Sequence, residues 1–290
     1  MIKLKDISLD ELYWYFKLGK PKFKITTNEL ISNINNYIKQ PVFFLSTGRC
    51  GTKWFSELLL SNKSNAVFHS PKPALDRQGK IAYEMFAKNN FNINNEIEIL
   101  LKELFLSNRE QHLRYTYKTG KHYIETNNYI TFFAPTLYKI FPDAKFVHLT
   151  RNPTPFIKSG LNRKYYTNRS EDDKRIAPVM ETDKWGNYSQ ASKIAWLWNE
   201  TNNFVEEFKV KYNPNIYHFD FNNLTSENVK RLLKFIDIEV SDSIITKLLP
   251  KKLNQQNQKK VETERLIQEN KENIKQICGN LALKYNYQIE

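Results

Sequence analysis

The sequence predicts an α/β fold in three layers, with a central, mostly parallel sheet flanked by helices. Three observations predict it. Short apolar runs rich in Val, Ile and Phe recur along the chain, longer amphipathic segments separate them, and the apolar runs show little polar alternation. Strands that alternate with helices imply right-handed crossovers and parallel pairing. Near-continuous apolar character implies burial on both faces, as a parallel sheet requires.

Residues 1–40 read as a helical prefix to the first strand, VFFLS (42–46), which runs into the helical TKWFSELLLS. A second strand, NAVFH (65–69), precedes the amphipathic NEIEILLKELFLSN, and a third, HYIET (122–126), precedes ITFFAPTLYKIF. The fourth strand is KFVHLT (145–150), followed after an interval by the long helical stretch QASKIAWLWNETNNFVEEFKVKY. NIYHFDF (215–221) gives the fifth strand and SENVKRLLKFI the next helix. The stretch 163–190 is polar and mixed in charge, and is expected to form a long loop over the site. The polar run 250–264 leads to a terminal helix. No repeat or low-complexity linker divides the chain, so residues 1–290 are expected to form a single domain.

With 290 residues and 40% hydrophobic content, the chain can bury a substantial core. Its 44 Lys+Arg against 31 Asp+Glu leave a net charge of +13. That balance suits an anionic ligand, nucleic acid or an acidic surface. Cys50 and Cys278 are the only cysteines, which excludes a disulfide framework and a multi-cysteine zinc site; no metal is expected. The first twenty residues carry no signal-peptide core, and no apolar run reaches spanning length. The expectation is a cytoplasmic protein without a membrane span.

Two stretches carry chemistry. In PVFFLSTGRCGTKWFSELLL (41–60), Gly48, Arg49, Gly51, Thr52 and Lys53 stand where a buried strand becomes a helix. Free N–H groups at a helix start and the helix dipole favour an anion, and glycine lets the backbone approach it. The nucleotide triphosphate loop needs G-x-x-x-x-G-K-[ST]. Here Gly51 is followed by Thr-Lys-Trp, so the ligand need not be a metal-bound triphosphate. The bland reading is a tight strand-to-helix turn. In PDAKFVHLTRNPTPFIKSGLNR, Arg151 closes a buried strand, Pro153 opens a helix, and Ser159 lies near the end of its second turn. Carboxyl ends of strands are where open α/β sheets bind ligands, and an arginine fork suits a phosphate. The bland alternative makes Arg151 a cap for a neighbouring helix.

Together the two stretches resemble the sulfotransferase family that uses 3′-phosphoadenosine 5′-phosphosulfate (PAPS) as donor. The family's [PG]-[KR]-S-G-T-x-W loop is similar to Gly48-Arg49-Cys50-Gly51-Thr52-Lys53-Trp54, with Cys50 in place of the serine. Its R-[DN]-P with a serine eight residues after the arginine is similar to Arg151–Pro153 and Ser159. The resemblance covers roughly residues 41–287 and implies a P-loop-NTPase-like fold, PAPS as co-substrate and no metal. By the same resemblance, N–H groups of 49–53 with the Arg49 and Thr52 side chains hold the 5′-phosphosulfate. Arg151 and Ser159 hold the 3′-phosphate, and Trp54 stacks on adenine. Gly48, Cys50, Gly51 and Lys53 complete the donor loop.

Sulfuryl transfer needs charge stabilisation at the leaving oxygen, which falls to Arg49, and a base for the acceptor. His69, ending the second strand, is one candidate base and Glu125, ending the third, is the other. His148 lies inside a strand and reads as core or support. The expected acceptor is a small molecule or carbohydrate, with no nucleic acid partner and no membrane span expected, and with oligomeric state open. Two other functions compete: an atypical phosphotransferase or nucleotide hydrolase, and a basic nucleic-acid-binding protein. No strand-end metal aspartate supports the first. The basic residues are dispersed and match no common nucleic-acid motif, against the second.

Overall fold

The computed structural model describes residues 26–180, 183–251 and 260–289. Most of the 1–40 prefix lies outside the described residues; within it, α1 (Thr27–Ser32) and α2 (Ile34–Tyr37) are helical. Then follow β1 (Val42–Leu45), α3 (Thr52–Leu60), β2 (Asn65–Phe68), α4 (Asp76–Lys88), α5 (Asn95–Thr119) and β3 (His122–Glu125). A 3₁₀ segment, Asn128–Phe133, leads into α6 (Ala134–Ile140), β4 (Lys145–Thr150) and α7 (Pro153–Asn162). The short α8 (Asp183–Asn187) precedes α9 (Gln190–Tyr212), β5 (Ile216–Asp220), α10 (Ser226–Phe235), α11 (Asp242–Leu248), α12 (Lys260–Glu269) and α13 (Lys271–Lys284).

The five strands form one sheet in the order β2-β3-β1-β4-β5, and every pairing is parallel. Alternation along each strand divides the core. Phe43, Leu45, Phe68, Tyr123 and Phe146 face one side, against α4–α7, α9 and α13. Val42, Phe44, Val67, Ile124, Val147 and Leu149 face the other, against α3, α10 and α11. This is the three-layer α/β architecture that the apolar strands implied. Phe43 is fully buried and its ring meets those of Phe105, Tyr123, Phe141 and Phe146. Truncating such a side chain costs about 3–5 kcal/mol.

Two helices depart from the sequence reading. α5 continues eleven residues past Asn108, to Thr119, where Gly120 takes φ +60°. Its buried stripe includes Arg109, His112 and Thr116, polar residues that hide the apolar period. α4 lacks a clean pattern because Gly79 and Lys80 interrupt it. Gly79 is there for contact: a Cβ would lie 2.6 Å from the Tyr129 carbonyl oxygen, so the helix presses against the 3₁₀ segment.

Candidate active site

In a parallel order with β1 central, the strands deliver their carboxyl ends to one edge, and β1 and β4 lie side by side there. The chain leaving β1 is clamped first. Ser46 N–H donates to Thr131 Oγ1 (2.9 Å), and the Thr131 hydroxyl donates to the Ser46 carbonyl (3.0 Å). Gly48 N–H then donates to Ser46 Oγ (3.1 Å). Gly48, Arg49 and Gly51 take φ values of +75°, +59° and +97°, so the backbone winds in the left-handed region before α3 begins. Such turns aim successive N–H groups into a concavity that accepts an anion. At Gly51 no side chain fits, since a Cβ would lie 2.1 Å from the Phe221 ring.

Arg49 is the one non-glycine among these three, a conformation costing on the order of 1–3 kcal/mol. Its side chain is held: Nε donates to Ser159 Oγ at 3.0 Å. Arg151 reaches the same loop, Nη1 donating to the Arg49 carbonyl at 3.2 Å. The Arg151 carbonyl in turn accepts from Trp198 Nε1 (2.8 Å), and Asn152 caps α7 by accepting from Thr154 N–H (2.9 Å). The two chemistry-bearing stretches, 102 residues apart at their arginines, therefore meet at one point. Burial first, and then the charges of Arg163 and Arg151, hold the Arg49 pKa below its ordinary value. Three guanidinium groups crowding one another is an arrangement that an anion relieves.

Other expected donor residues divide. Thr52, first in α3, is buried and lines the cleft. Cys50 turns inward, its Sγ donating to the Gly48 carbonyl (3.1 Å) beside Thr47 Oγ1 (3.0 Å). Burial pushes its thiol up to about 11, so it stays neutral and offers the loop only its backbone. Lys53 is exposed on α3. Trp54 corrects an expectation: its ring is 2% exposed, packs edge-on to Phe55, and donates Nε1–H to the Leu248 carbonyl (2.9 Å). It presents no open face for adenine.

The two candidate bases separate sharply. His69 directly follows β2 and lines the cleft together with Ser46, Gly48 and Arg49, with its Nδ1 3.0 Å from Thr126 Oγ1. Glu125 corrects the alternative. It is fully buried and accepts from Arg109 Nη2 (2.7 Å), Arg109 Nε (3.1 Å), the Tyr123 hydroxyl (2.7 Å) and Asn127 Nδ2 (3.2 Å). A carboxylate saturated in this way has no lone pair to offer an acceptor. His148 is enclosed within β4, its Nε2 3.0 Å from Asn202 Oδ1, which fits a support role.

Sequence reasoning missed the buried Thr131, the clamp on the chain leaving β1, and several cleft residues: Asn128 and Tyr129 of the 3₁₀ segment, and Asp76 and Lys80 of α4. Only the polar TNN after the third strand hinted at any of them. From the 163–190 stretch, Tyr165, Lys174, Arg175 and Ile176 line the same cleft. Among the described residues no cluster of three or more His, Cys, Asp or Glu could hold a metal, and no helix is long and apolar enough to cross a membrane.

A five-stranded parallel sheet with a left-handed glycine–arginine loop after its central strand defines an α/β protein of the P-loop-like class. Comparison with known proteins agrees. The profile of the sulfotransferase family matches residues 41–242, and the chain belongs to that family. Sulfotransferase STF9 from Mycobacterium avium superposes with a TM-score of 0.52 at 12% identity, covering 97% of this chain and 86% of that one. The sulfotransferase domain from the curacin biosynthetic pathway gives 0.51 at 14% identity, covering 87% and 99%. At these identities the likeness is one of fold. No curated protein sequence matches the chain.

Proposed function

We propose that the protein transfers a sulfuryl group from PAPS to a hydroxyl or amine of a small-molecule or carbohydrate acceptor. The observation that carries this reading is the Arg49–Ser159 hydrogen bond (3.0 Å), with Arg151 on the Arg49 carbonyl. It joins a loop fit for one phosphate-like group to an arginine and serine fit for a second, as a donor with both 5′-phosphosulfate and 3′-phosphate requires. The N–H groups of 49–53, Arg49 and Thr52 would hold the first group; Arg151 and Ser159 would hold the second.

Sulfuryl transfer parallels phosphoryl transfer, where positioning and charge stabilisation supply most of the catalysis. As the acceptor oxygen or nitrogen bonds to sulfur, the sulfur–oxygen bond to the departing phosphate breaks and charge grows on that bridging oxygen. Arg49 supplies the opposing charge. His69 takes the acceptor's proton, with Thr126 fixing the orientation of its ring. The products are a sulfo ester or sulfamate and adenosine 3′,5′-bisphosphate.

The test is thermal unfolding with nucleotide and without magnesium. Adenosine 3′,5′-bisphosphate should raise the Tm by mass action. Arg151→Ala should weaken its binding by about 1.5–3 kcal/mol, the scale of a charged hydrogen bond. Equal binding of 5′-AMP and the bisphosphate would remove the 3′-phosphate site and with it the choice of donor.

A further inference from the structure

Beyond His69, the cleft runs away from the anion loop towards α4 and the 163–175 segment. Its walls there carry Lys80, Lys174 and Arg175 against one carboxylate, Asp76. An adjoining depression adds Arg163, Lys164 and Arg169, together with the carboxylates Glu171 and Asp172. Arg163 also acts on Arg49 and so belongs with the donor cluster, whereas Lys80, Lys174 and Arg175 have no place in the donor assignment.

The three wall cations are not equivalent. Lys174 pairs with Asp76 (2.8 Å), and Arg175 pairs with Asp172 (3.0 Å) while lying 3.4 Å over the Tyr165 ring. Lys80 differs. Its Nζ donates to the Asp173 backbone carbonyl (3.1 Å), a neutral acceptor, and among the described residues it forms no ion pair. Lys80 as a residue is half-buried, on a turn of α4 that Gly79 seats directly against Tyr129. An ammonium matched only by a carbonyl gains from a carboxylate or sulfate brought to it.

We infer that Lys80 reads an anionic group on the acceptor, a carboxylate or an ester sulfate, while the nucleophile lies at His69. The inference rests on the sulfotransferase reading for the direction of the cleft. Ser70, Asn128 and Thr201 line the same cleft, so a hydroxyl-rich body suits it. Lys174 and Arg175 then act as walls, with charges already matched by Asp76 and Asp172.

Three probes on one scaffold test this: cellobiouronate carries a carboxylate, cellobiose 6-sulfate an ester sulfate, and cellobiose neither. Each is titrated by ligand-observed NMR at physiological salt, with and without saturating adenosine 3′,5′-bisphosphate. The wild type should bind at least one anionic probe about tenfold more tightly than cellobiose, and Lys80→Gln should abolish that difference. Lys118→Gln should leave it intact, since Lys118 precedes β3 and sits at the opposite, amino edge of the sheet. A preference for one anionic probe assigns carboxylate or sulfate. Equal binding of all three, failure of both anionic probes to bind, or an unchanged preference in Lys80→Gln overturns the inference. The nucleotide titration is read separately: its failure sinks the donor assignment, while the sugar titrations without nucleotide still decide the role of Lys80.

Discussion

Replacing Glu125 with glutamine distinguishes a buried structural carboxylate from a catalytic one. Glu125 and Arg109 are each fully buried, joined at 2.7 Å, and the Arg109 Nη1 also donates to the Pro73 carbonyl (2.7 Å). Burial alone would lower the Arg109 pKa, yet the charge and hydrogen bonds of Glu125 raise it, so the guanidinium depends on this partner. Glutamine keeps the shape but leaves the cation without compensation. Its amide nitrogen must also stand where one carboxylate oxygen accepts, from Tyr123 or from Arg109 and Asn127. Breaking a buried pair from one side costs about 3–5 kcal/mol. For 290 residues an unfolding entropy of roughly 0.6 kcal/mol/K converts this to about 5–8 °C in Tm. The assay is calorimetric or circular-dichroism unfolding at neutral pH, with bisphosphate binding measured below the transition. An unchanged Tm together with lost turnover would refute the reasoning and return Glu125 to the reaction.

Arg49→Ala should reduce kcat by about 10²–10³ and nucleotide affinity by less; equal losses would make it a clamp and not a stabiliser of developing charge. His69→Ala should cut turnover by about 10²–10⁴ while calorimetric titration shows bisphosphate binding retained. Buried His112, edge-on to Phe68 at 4.8 Å, is held at a pKa of about 3 by burial and then by Arg109. The unfolded imidazole binds a proton below about 6.5 and the folded one does not, so stability should fall by about 2 kcal/mol between pH 7 and 5 from this group. A flat urea midpoint over that range would contradict it. Gly51→Ala should lower the Tm and weaken nucleotide binding, and Phe221→Ala in the same chain should recover part of the loss by vacating the 2.1 Å clash.

The sheet was legible because its strands announce themselves twice, by apolar continuity and by the turns that end them. VFFL, NAVF, HYIE, KFVHLT and IYHFD all pair as the pattern required. What escaped was burial decided by a distant partner. Arg109 lies just past the helix that the sequence pattern marks, and its charge gives no sign of burial until Glu125 is known to lie across from it, sixteen positions away. Trp54 likewise reads as an exposed aromatic beside a ligand loop. Its N–H is satisfied instead by the Leu248 carbonyl, nearly two hundred residues along, and its ring belongs to the core on that face.

The loop after β1 shows the same division within one short stretch. Its composition is local and could be read directly: two glycines, an arginine and a threonine at a strand-to-helix junction. Its shape is not local. Three residues in the left-handed region do not hold themselves there, least of all Arg49, whose side chain penalises the conformation. Thr131 fixes the entry with reciprocal hydrogen bonds, Phe221 closes the space over Gly51, and Ser159 and Arg151 grip Arg49 by its side chain and carbonyl. These holders come from the segments after β3, β4 and β5, the strands that the parallel order brings to the same edge. The loop is thus preorganised by the sheet that presents it. That is the condition under which aligned N–H groups and a fixed guanidinium stabilise charge without reorganising as it appears.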